Sequence, residues 1–124
     1  MDWVQEGGGR DPVASSPEKR IPHKRVHWRA LALPDATHKL PGHIVEVGDS
    51  SLSLQARYTF PVGTMLQIAF FVPDPLDRSR SNVVQVEGRV SLQVMRGDEV
   101  QTGLSVRFPE PVRATILAAL QQEK

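Results

Sequence analysis

The amino-acid sequence predicts a small all-β protein, a closed antiparallel barrel of six strands followed by one C-terminal helix. Short apolar segments recur between turn-forming residues through most of the chain, at the spacing of strands. Near the end of the chain the apolar spacing changes to that of a helix. The 124 residues suffice for one such domain. Closure of the sheet into a barrel is expected to leave no exposed strand edge.

The predicted strands are separated by recognisable turns and loops. The residues GDSS at 48–51 favour a tight turn between the second and third strands, because four small or polar residues in a row weaken a strand. The segment at 73–81 predicts a surface loop, and Gly88 predicts a bulge or a close backbone approach. The six strands are predicted at 26–33, about 43–47, 52–56, 65–72, 83–95 and 102–108.

The end of the chain has the features of a helix start. Pro111 suits the first helical turn, and Glu110 complements the positive N-terminal end of a helix. We therefore expect a short helix packed over one end of the barrel. The apolar residues that define its buried face, at helical spacing, are Val112, Ile116, Leu117 and Leu120.

Two segments precede the first strand. Residues 1–18 form a predicted flexible arm, because three glycines at 7–9, two prolines and few apolar side chains cannot offset the entropy of ordering. The basic segment RIPHKR at 20–25 should be an extended connector, since Pro22 disfavours helix and has no N–H. The predicted organisation is an arm at 1–18 and a barrel domain at 19–124.

Composition argues against several function classes. The net charge is +1, so the chain as a whole has no strong field for a nucleic-acid polymer or an acidic membrane. Cysteine is absent, which excludes disulfides, thiol nucleophiles and thiolate metal sites. No apolar run has the length of a membrane span and the sequence does not begin with a secretory signal, so we expect a cytoplasmic protein.

The sequence contains no motif with catalytic or metal-binding spacing. Ser50 and Ser51 lie outside any nucleophile elbow, and no glycine-rich phosphate loop occurs. The histidines form no HExxH or HxH motif; they are His23, His27, His38 and His43. We therefore expect a binding module that is not an enzyme and that has no metal or cofactor.

Basic charge is concentrated before and within the first strand. Arginine can bind phosphate or the O6/N7 edge of guanine with two hydrogen bonds, and its plane can stack on a base. If this charge lies beside the turn at 48–51, whose backbone N–H groups can receive an anion, the two form a cleft for a small anionic nucleotide. A solvated linker without a specific ligand is the alternative. The residues concerned are Arg20, Lys24, Arg25 and Arg29.

The order of these features resembles a PilZ domain, the bacterial receptor module for cyclic di-GMP. The resemblance implies a six-stranded PilZ-like barrel that acts as a signalling adaptor. It also implies that the nucleotide orders residues 20–25 onto the barrel and so changes the surface offered to a protein partner. The resemblance covers about residues 19–122. It includes the basic segment and the helix, and the other matching segments are GHIVEVGDSSLSL (42–54), FPVGTMLQIAFFVP (60–73), VEGRVSLQV (86–94) and TGLSVRF (102–108).

The first ligand motif of the family, RxxxR, is altered in this sequence. Three registers are open: Ile21 with Arg25, Arg20 with Lys24, or Arg25 with Arg29. The second places two cationic side chains four residues apart in the form RxxxK. The third satisfies RxxxR literally, but it puts its second arginine inside the first strand.

The second ligand motif, [D/N]xSxxG, is altered at all three defined positions, which Glu46, Gly48 and Ser51 occupy here. Each lost charge-assisted hydrogen bond is worth roughly 1.5–3 kcal/mol, so the loss of two weakens binding by roughly two to four orders of magnitude. Asp49 and Ser50 are available as substitute acceptors.

The resemblance thus implies a cyclic di-GMP site and a protein partner that the sequence does not identify. The candidate ligand residues are Arg20, Lys24, Arg25, Arg29, Glu46, Gly48, Asp49 and Ser51. One alternative is a PilZ-like protein that does not bind the nucleotide and acts through protein contacts, in motility or pilus assembly. Another is a barrel for single-stranded nucleic acid. This second alternative is disfavoured because the four Phe, two Trp and one Tyr are not clustered on neighbouring strands.

Overall fold

The computed structural model describes residues 20–122 and confirms the predicted fold class. Residues 1–19, with the predicted arm at 1–18, and residues 123–124 lie outside the described residues. Six antiparallel strands close into a barrel in the order β1-β2-β3-β6-β5-β4, and one helix follows. The elements are β1 (Lys24–Leu33), β2 (Leu40–Gly48), β3 (Ser51–Ala56), β4 (Met65–Pro73), β5 (Ser81–Arg96), β6 (Glu99–Val106) and α1 (Glu110–Gln122).

Alternate side chains of the strands fill the barrel. In β4, Leu66, Ile68, Phe70 and Val72 are at most 1% exposed, whereas the residues between them are half-buried. The indole of Trp28 stacks on the ring of Phe70, with ring centroids 6.2 Å apart. The two-residue period of the strands therefore places their apolar side chains in one continuous core.

The start of β1 differs from the prediction because of a β-bulge. A bulge inserts an extra residue into one strand, so that pairing resumes beyond a break in the alternation. β1 therefore begins at Lys24, two residues before the predicted start, and the end of the predicted 20–25 connector belongs to a strand. The three register shifts of the barrel lie between Arg25 and Trp28, between Ile44 and Glu46, and between Val90 and Leu92.

Four further strands begin earlier than predicted: β2 at Leu40, β3 at Ser51, β5 at Ser81 and β6 at Glu99. β6 ends at Val106, two residues before its predicted end. The turn between β2 and β3 is also shorter than predicted. Gly48 and Ser51 pair with each other across the hairpin, so the turn is Asp49–Ser50 alone. The sheet extends in these places because backbone N–H and C=O groups find ladder partners there.

Gly88 permits a close approach of β5 to β6. A Cβ on Gly88 would lie 2.9 Å from Cγ2 of Val106 and 3.2 Å from Cβ of Leu104. The predicted close approach is confirmed, and the bulge of this strand lies two residues further along.

Helix α1 packs at the end of the barrel where β2 turns into β3. Its apolar stripe lies on the same core as Ile21, which precedes β1. No helix in the described part of the chain has the length and apolar character required to cross a membrane. The helix residues in contact with the core are Val112, Ile116, Leu117, Ala119 and Leu120.

Candidate functional site

The carboxylate of Asp49 joins three parts of the fold at the tip of the β2–β3 hairpin. Its Oδ1 accepts a hydrogen bond of 3.0 Å from the backbone N–H of Ile21, in the basic segment. The same oxygen is paired with the guanidinium of Arg113 in α1, and Arg113 also donates to the Asp49 carbonyl at 3.4 Å. The basic segment, the hairpin and the helix are therefore held together at one side chain.

These contacts alter the acidity of Asp49. Partial burial raises the pKa of the carboxyl group, but the Ile21 N–H and the Arg113 guanidinium outweigh burial, and Arg20 adds a further positive charge. The pKa of Asp49 is therefore lowered from its ordinary value. Asp49 is ionised at neutral pH and already has hydrogen-bond donors.

Arg20 and Lys24 lie together on the helix side of the basic segment. Both line a cleft of about 270 Å³ whose apolar wall is formed by Leu117 and Leu120 of α1. Both cationic side chains belong to exposed residues. Of the three registers left open by the sequence, the one that pairs Arg20 with Lys24 thus brings two cations to one cleft.

Arg25 lies on the outer face of the barrel, opposite Glu46 of β2 in the strand register. It points away from the Lys24 side because successive strand residues face opposite sides of a sheet. Arg25 and Glu46 line a polar groove of about 460 Å³, which Arg96 and Gln101 complete from the β5–β6 hairpin. The groove has cationic walls and one carboxylate.

The carboxylate of Glu46 faces two neighbours. The hydroxyl of Ser53 donates to its Oε1 at 3.4 Å, and Nε2 of His23 lies 3.9 Å from the same oxygen. The His23 ring also approaches Gly48, since its Cδ2 lies 3.4 Å from the point where a Cβ on Gly48 would sit. His23 therefore bridges the basic segment and the hairpin.

Gly48 and Ser51 are exchanged relative to the family motif. The motif has serine where this sequence has Gly48, and glycine where it has Ser51. Oγ of Ser51 lies 2.7 Å from the point that a Cβ on Gly48 would occupy. The exchange thus keeps one hydroxyl group beside residue 48, supplied from across the hairpin. Gly48 itself is buried, and its backbone does not have the positive φ found at Gly63 and Gly97.

Arg29 lies apart from the other candidate residues. Its guanidinium carbon is 4.8 Å from the centroid of the Phe71 ring, a cation–π contact. It lines a separate groove of about 380 Å³ with His43, whose ring stacks on that of His27 at 4.2 Å. Burial, and then the neighbouring charge of His27, lowers the pKa of His43. The register that pairs Arg25 with Arg29 therefore does not form one site.

Sequence reasoning missed three residues of this region: His23, Arg96 and Arg113. A signal for Arg113 was present, because residue 113 falls on the apolar stripe of α1, three and four residues before Ile116 and Leu117. A charge in such a position needs a partner. His23 and Arg96 carried no comparable signal, since their proximity to Glu46 depends on which strands pair.

The region can bind an anion with planar polar groups. Its cations suit phosphate, and Glu46 can accept hydrogen bonds from ring N–H groups. The described residues contain no group of three or more histidines and carboxylates that could hold a metal ion.

Comparison with known proteins concerns the fold. No family model and no curated protein matches the sequence. Among solved structures, the chain is similar to the inhibitor of motility (MotI/DgrA) of Bacillus subtilis, with a TM-score of 0.67 and 8% sequence identity. The match covers 84% of this chain and 50% of that protein, so this chain spans about half the length of its structural neighbour. The likeness supports a PilZ-like fold for the six-stranded barrel and its helix.

Proposed function

We propose that this chain is a PilZ-like signalling adaptor that binds cyclic di-GMP at the β2–β3 end of the barrel. The observation that carries the proposal is the hydrogen bond from Ile21 to Asp49, which keeps the basic segment on the hairpin. Ile21 is only 2% exposed, so the cationic side chains on either side of it are presented from an anchored backbone.

The chemistry of the ligand matches the charges at this end of the barrel. Cyclic di-GMP has two phosphates and two guanine bases. Arg20 and Lys24 can bind one phosphate from the helix-side cleft, while Arg25 faces the outer groove with Glu46. The Glu46 carboxylate can accept hydrogen bonds from guanine ring and amino N–H groups, and the Ser51 hydroxyl supplies the donor that Gly48 lacks.

The anchored segment changes the mechanism expected from the sequence. We expect the ligand to cause a smaller change than ordering of the whole 20–25 segment, because Ile21 is already buried and Lys24 already belongs to β1. We infer that the ligand reorients the exposed side chains of Arg20, His23 and Arg25. The surface offered to a protein partner then changes in charge while the backbone stays in place.

Isothermal titration with cyclic di-GMP tests the proposal. We expect wild-type protein to bind and the Arg20→Ala/Lys24→Ala variant to bind at least about a hundredfold more weakly, since each lost charge-assisted bond is worth roughly 1.5–3 kcal/mol. Arg29→Ala is the matched control, because Arg29 lies on Phe71 in the separate groove. An equal loss in Arg29→Ala, or no heat from wild-type protein at hundreds of micromolar nucleotide, would contradict the proposed site.

A second candidate function is a PilZ-like adaptor that acts through protein contacts without a nucleotide. The observation that favours it is that the acidic acceptors are already engaged, Asp49 by Ile21 and Arg113, and Glu46 by Ser53. The structural neighbour is named an inhibitor of motility, which is compatible with an output in motility.

A variant that restores the second ligand motif separates the two candidates. Glu46→Asp/Gly48→Ser/Ser51→Gly carries the family residues at all three positions. If this variant binds cyclic di-GMP and the wild-type protein does not, the second candidate is supported. If both bind, the first candidate is supported and the altered motif is functional.

A further inference from the structure

Strand β5 continues beyond the part of the barrel that β4 covers. Residues 81–89 pair with β4, whereas residues 88–96 pair with β6. On the β4 side the last bonded residue is Val90, whose N–H donates to the Thr64 carbonyl at 2.8 Å and whose carbonyl accepts from the Gly63 N–H at 2.7 Å. Within residues 20–122, no strand pairs with 91–96 on that side. The expectation that closure leaves no exposed edge is therefore wrong for this segment.

This free edge is apolar. Leu92 is 51% exposed, Val94 43% and Met95 66%. Natural edge strands are usually blunted by lysine, proline or a charge pointing towards the partner strand. The run LQVM at 92–95 contains none of these, and Arg96 is the one charged residue at its end. An unpaired and apolar edge of this kind is suited to pairing with another strand.

The bulge before the segment fixes which side chains share a face. Leu92 lies across Gly103, since its Cγ is 3.1 Å from the point where a Cβ on Gly103 would sit. Val94 is opposite Gln101 in the register and so lies on the same outer face as Leu92. Gln93 is opposite the buried Thr102 and lies on the other face.

We propose that residues 91–96 pair with the same segment of a second copy of this chain, antiparallel about a two-fold axis at Gln93. In this register Leu92 lies opposite the partner's Val94, and Val94 opposite the partner's Leu92. The two Gln93 amides face each other at the axis and can exchange hydrogen bonds. The three central pairs therefore join like with like, and each is repeated by the two-fold axis, as an isologous interface requires.

The register also separates the charges. Arg96 lies opposite the partner's Val90, so the two arginines are six positions apart along the paired strands, or about 20 Å. Registers centred on Val94 or Met95 instead place Leu92 or Val94 directly opposite the partner's Arg96. In the register centred on Gln93, Arg96 falls outside the new pairing, because the backbone groups of Val90 already bond Thr64 and Gly63. The self-complementary order of the segment is what favours a second copy over an unrelated strand.

Absence of cysteine from the sequence allows a direct test by cross-linking. Directly opposed residues in an antiparallel pair have Cα atoms about 4.5–5.5 Å apart, within the range of about 4.4–6.8 Å that a disulfide bridges. We expect Gln93→Cys to form a disulfide-linked dimer under mild oxidation. Arg89→Cys is the matched control, because Arg89 is an exposed residue of the same strand that pairs with Met65 of β4 on one side and Ser105 of β6 on the other. It should remain a monomer.

Light scattering after size-exclusion chromatography provides the second readout. The wild-type dimer fraction should rise with protein concentration, and Val94→Lys should stay monomeric with an unchanged far-ultraviolet circular dichroism spectrum. If Val94→Lys does not fold, the cross-linking result decides alone. The proposal is overturned by a wild-type protein that stays monomeric at every concentration, or by a dimer that Gln93→Cys does not cross-link. A monomer in which the 91–96 amides that point away from β6 resist hydrogen exchange also overturns it, since the edge is then covered from within its own chain.

Discussion

The backbone N–H of Ile21 donates a hydrogen bond of 3.0 Å to Oδ1 of Asp49, across 28 residues of sequence. Arg113, 64 residues further along the chain from Asp49, pairs with the same carboxylate oxygen from α1. One side chain at the tip of a two-residue turn thus fixes the position of the basic segment before β1 and of the helix after β6. The candidate ligand site and the helix are energetically linked through Asp49.

Replacement of this carboxylate should destabilise the protein. Asp49→Asn keeps the size of the side chain but loses the ion pair with Arg113 and weakens the acceptor for Ile21. We expect the free energy of unfolding to fall by about 1–3 kcal/mol, towards the lower value because the Asp49 side chain is 39% exposed. Urea titration measures the change. Asp98→Asn is the control, because its ion pair with Arg57 is exposed on both sides, and a loss as large as that of Asp49→Asn would contradict the assignment.

The lowered pKa of Asp49 predicts a pH dependence of stability. The folded pKa lies below the ordinary value of 3.8, so the ionised form contributes stability above that value and the contribution is lost as the pH falls through the folded pKa. Thermal melts from pH 6 to pH 2 should therefore show a smaller acid-induced loss in Asp49→Asn than in wild-type protein. The comparison with the variant is needed because the pKa of Asp35 is also lowered, mainly by its hydrogen bond with His38. Parallel curves for the two proteins would show that the Asp49 contacts do not stabilise the fold.

The exchange of serine and glycine in the hairpin predicts a strong coupling between residues 48 and 51. Gly48→Ser should destabilise the protein, because its Cβ would lie 2.7 Å from Oγ of Ser51. Ser51→Gly removes that oxygen, so the double variant should be more stable than the sum of the single changes implies. A double-mutant cycle by urea titration should give a coupling of about 0.5–3 kcal/mol. Additive effects would mean that the two side chains do not compete for this space.

The close contact of β5 with β6 predicts the effect of a methyl group at residue 88. Gly88→Ala would place a Cβ 2.9 Å from Cγ2 of Val106, and we expect a loss of about 1–3 kcal/mol in the free energy of unfolding. Gly97→Asn is the control. Gly97 has a φ of +68° in open space, and asparagine tolerates this backbone conformation better than most residues. If the two variants are equally stable, the barrel relaxes around residue 88.

Sequence patterns predicted the parts of the fold that depend on local alternation. The buried faces of β4 and β6 follow from the two-residue period of LQIAFFV and LSVRF, and the helix follows from its 3.6-residue period. The start of β1 did not follow, because a bulge interrupts the period between Arg25 and Trp28. A bulge is stabilised by the neighbouring strand and has no consistent signature in the chain that contains it.

The candidate site was predictable only in part, for a similar reason. The spacing of the basic residues predicted Arg20 with Lys24 as one of three registers of the first ligand motif. In the structure, these two residues line a common cleft. The contacts of Asp49 could not be predicted from sequence spacing, because they join residues far apart in the chain. The free edge at 91–96 was not predicted, because every strand of a closed barrel was assumed to be paired along its whole length.

The proximity of Arg20 to Gln121 has a consequence for the construction of larger proteins. These residues, near the two ends of the described chain, line the same small cleft at one end of the barrel. A short linker could therefore join them, and new termini could be opened in the exposed loop that contains Arg78. Such a circular permutant would retain all six strands, and the domain could equally be inserted into a host loop through two adjacent connections.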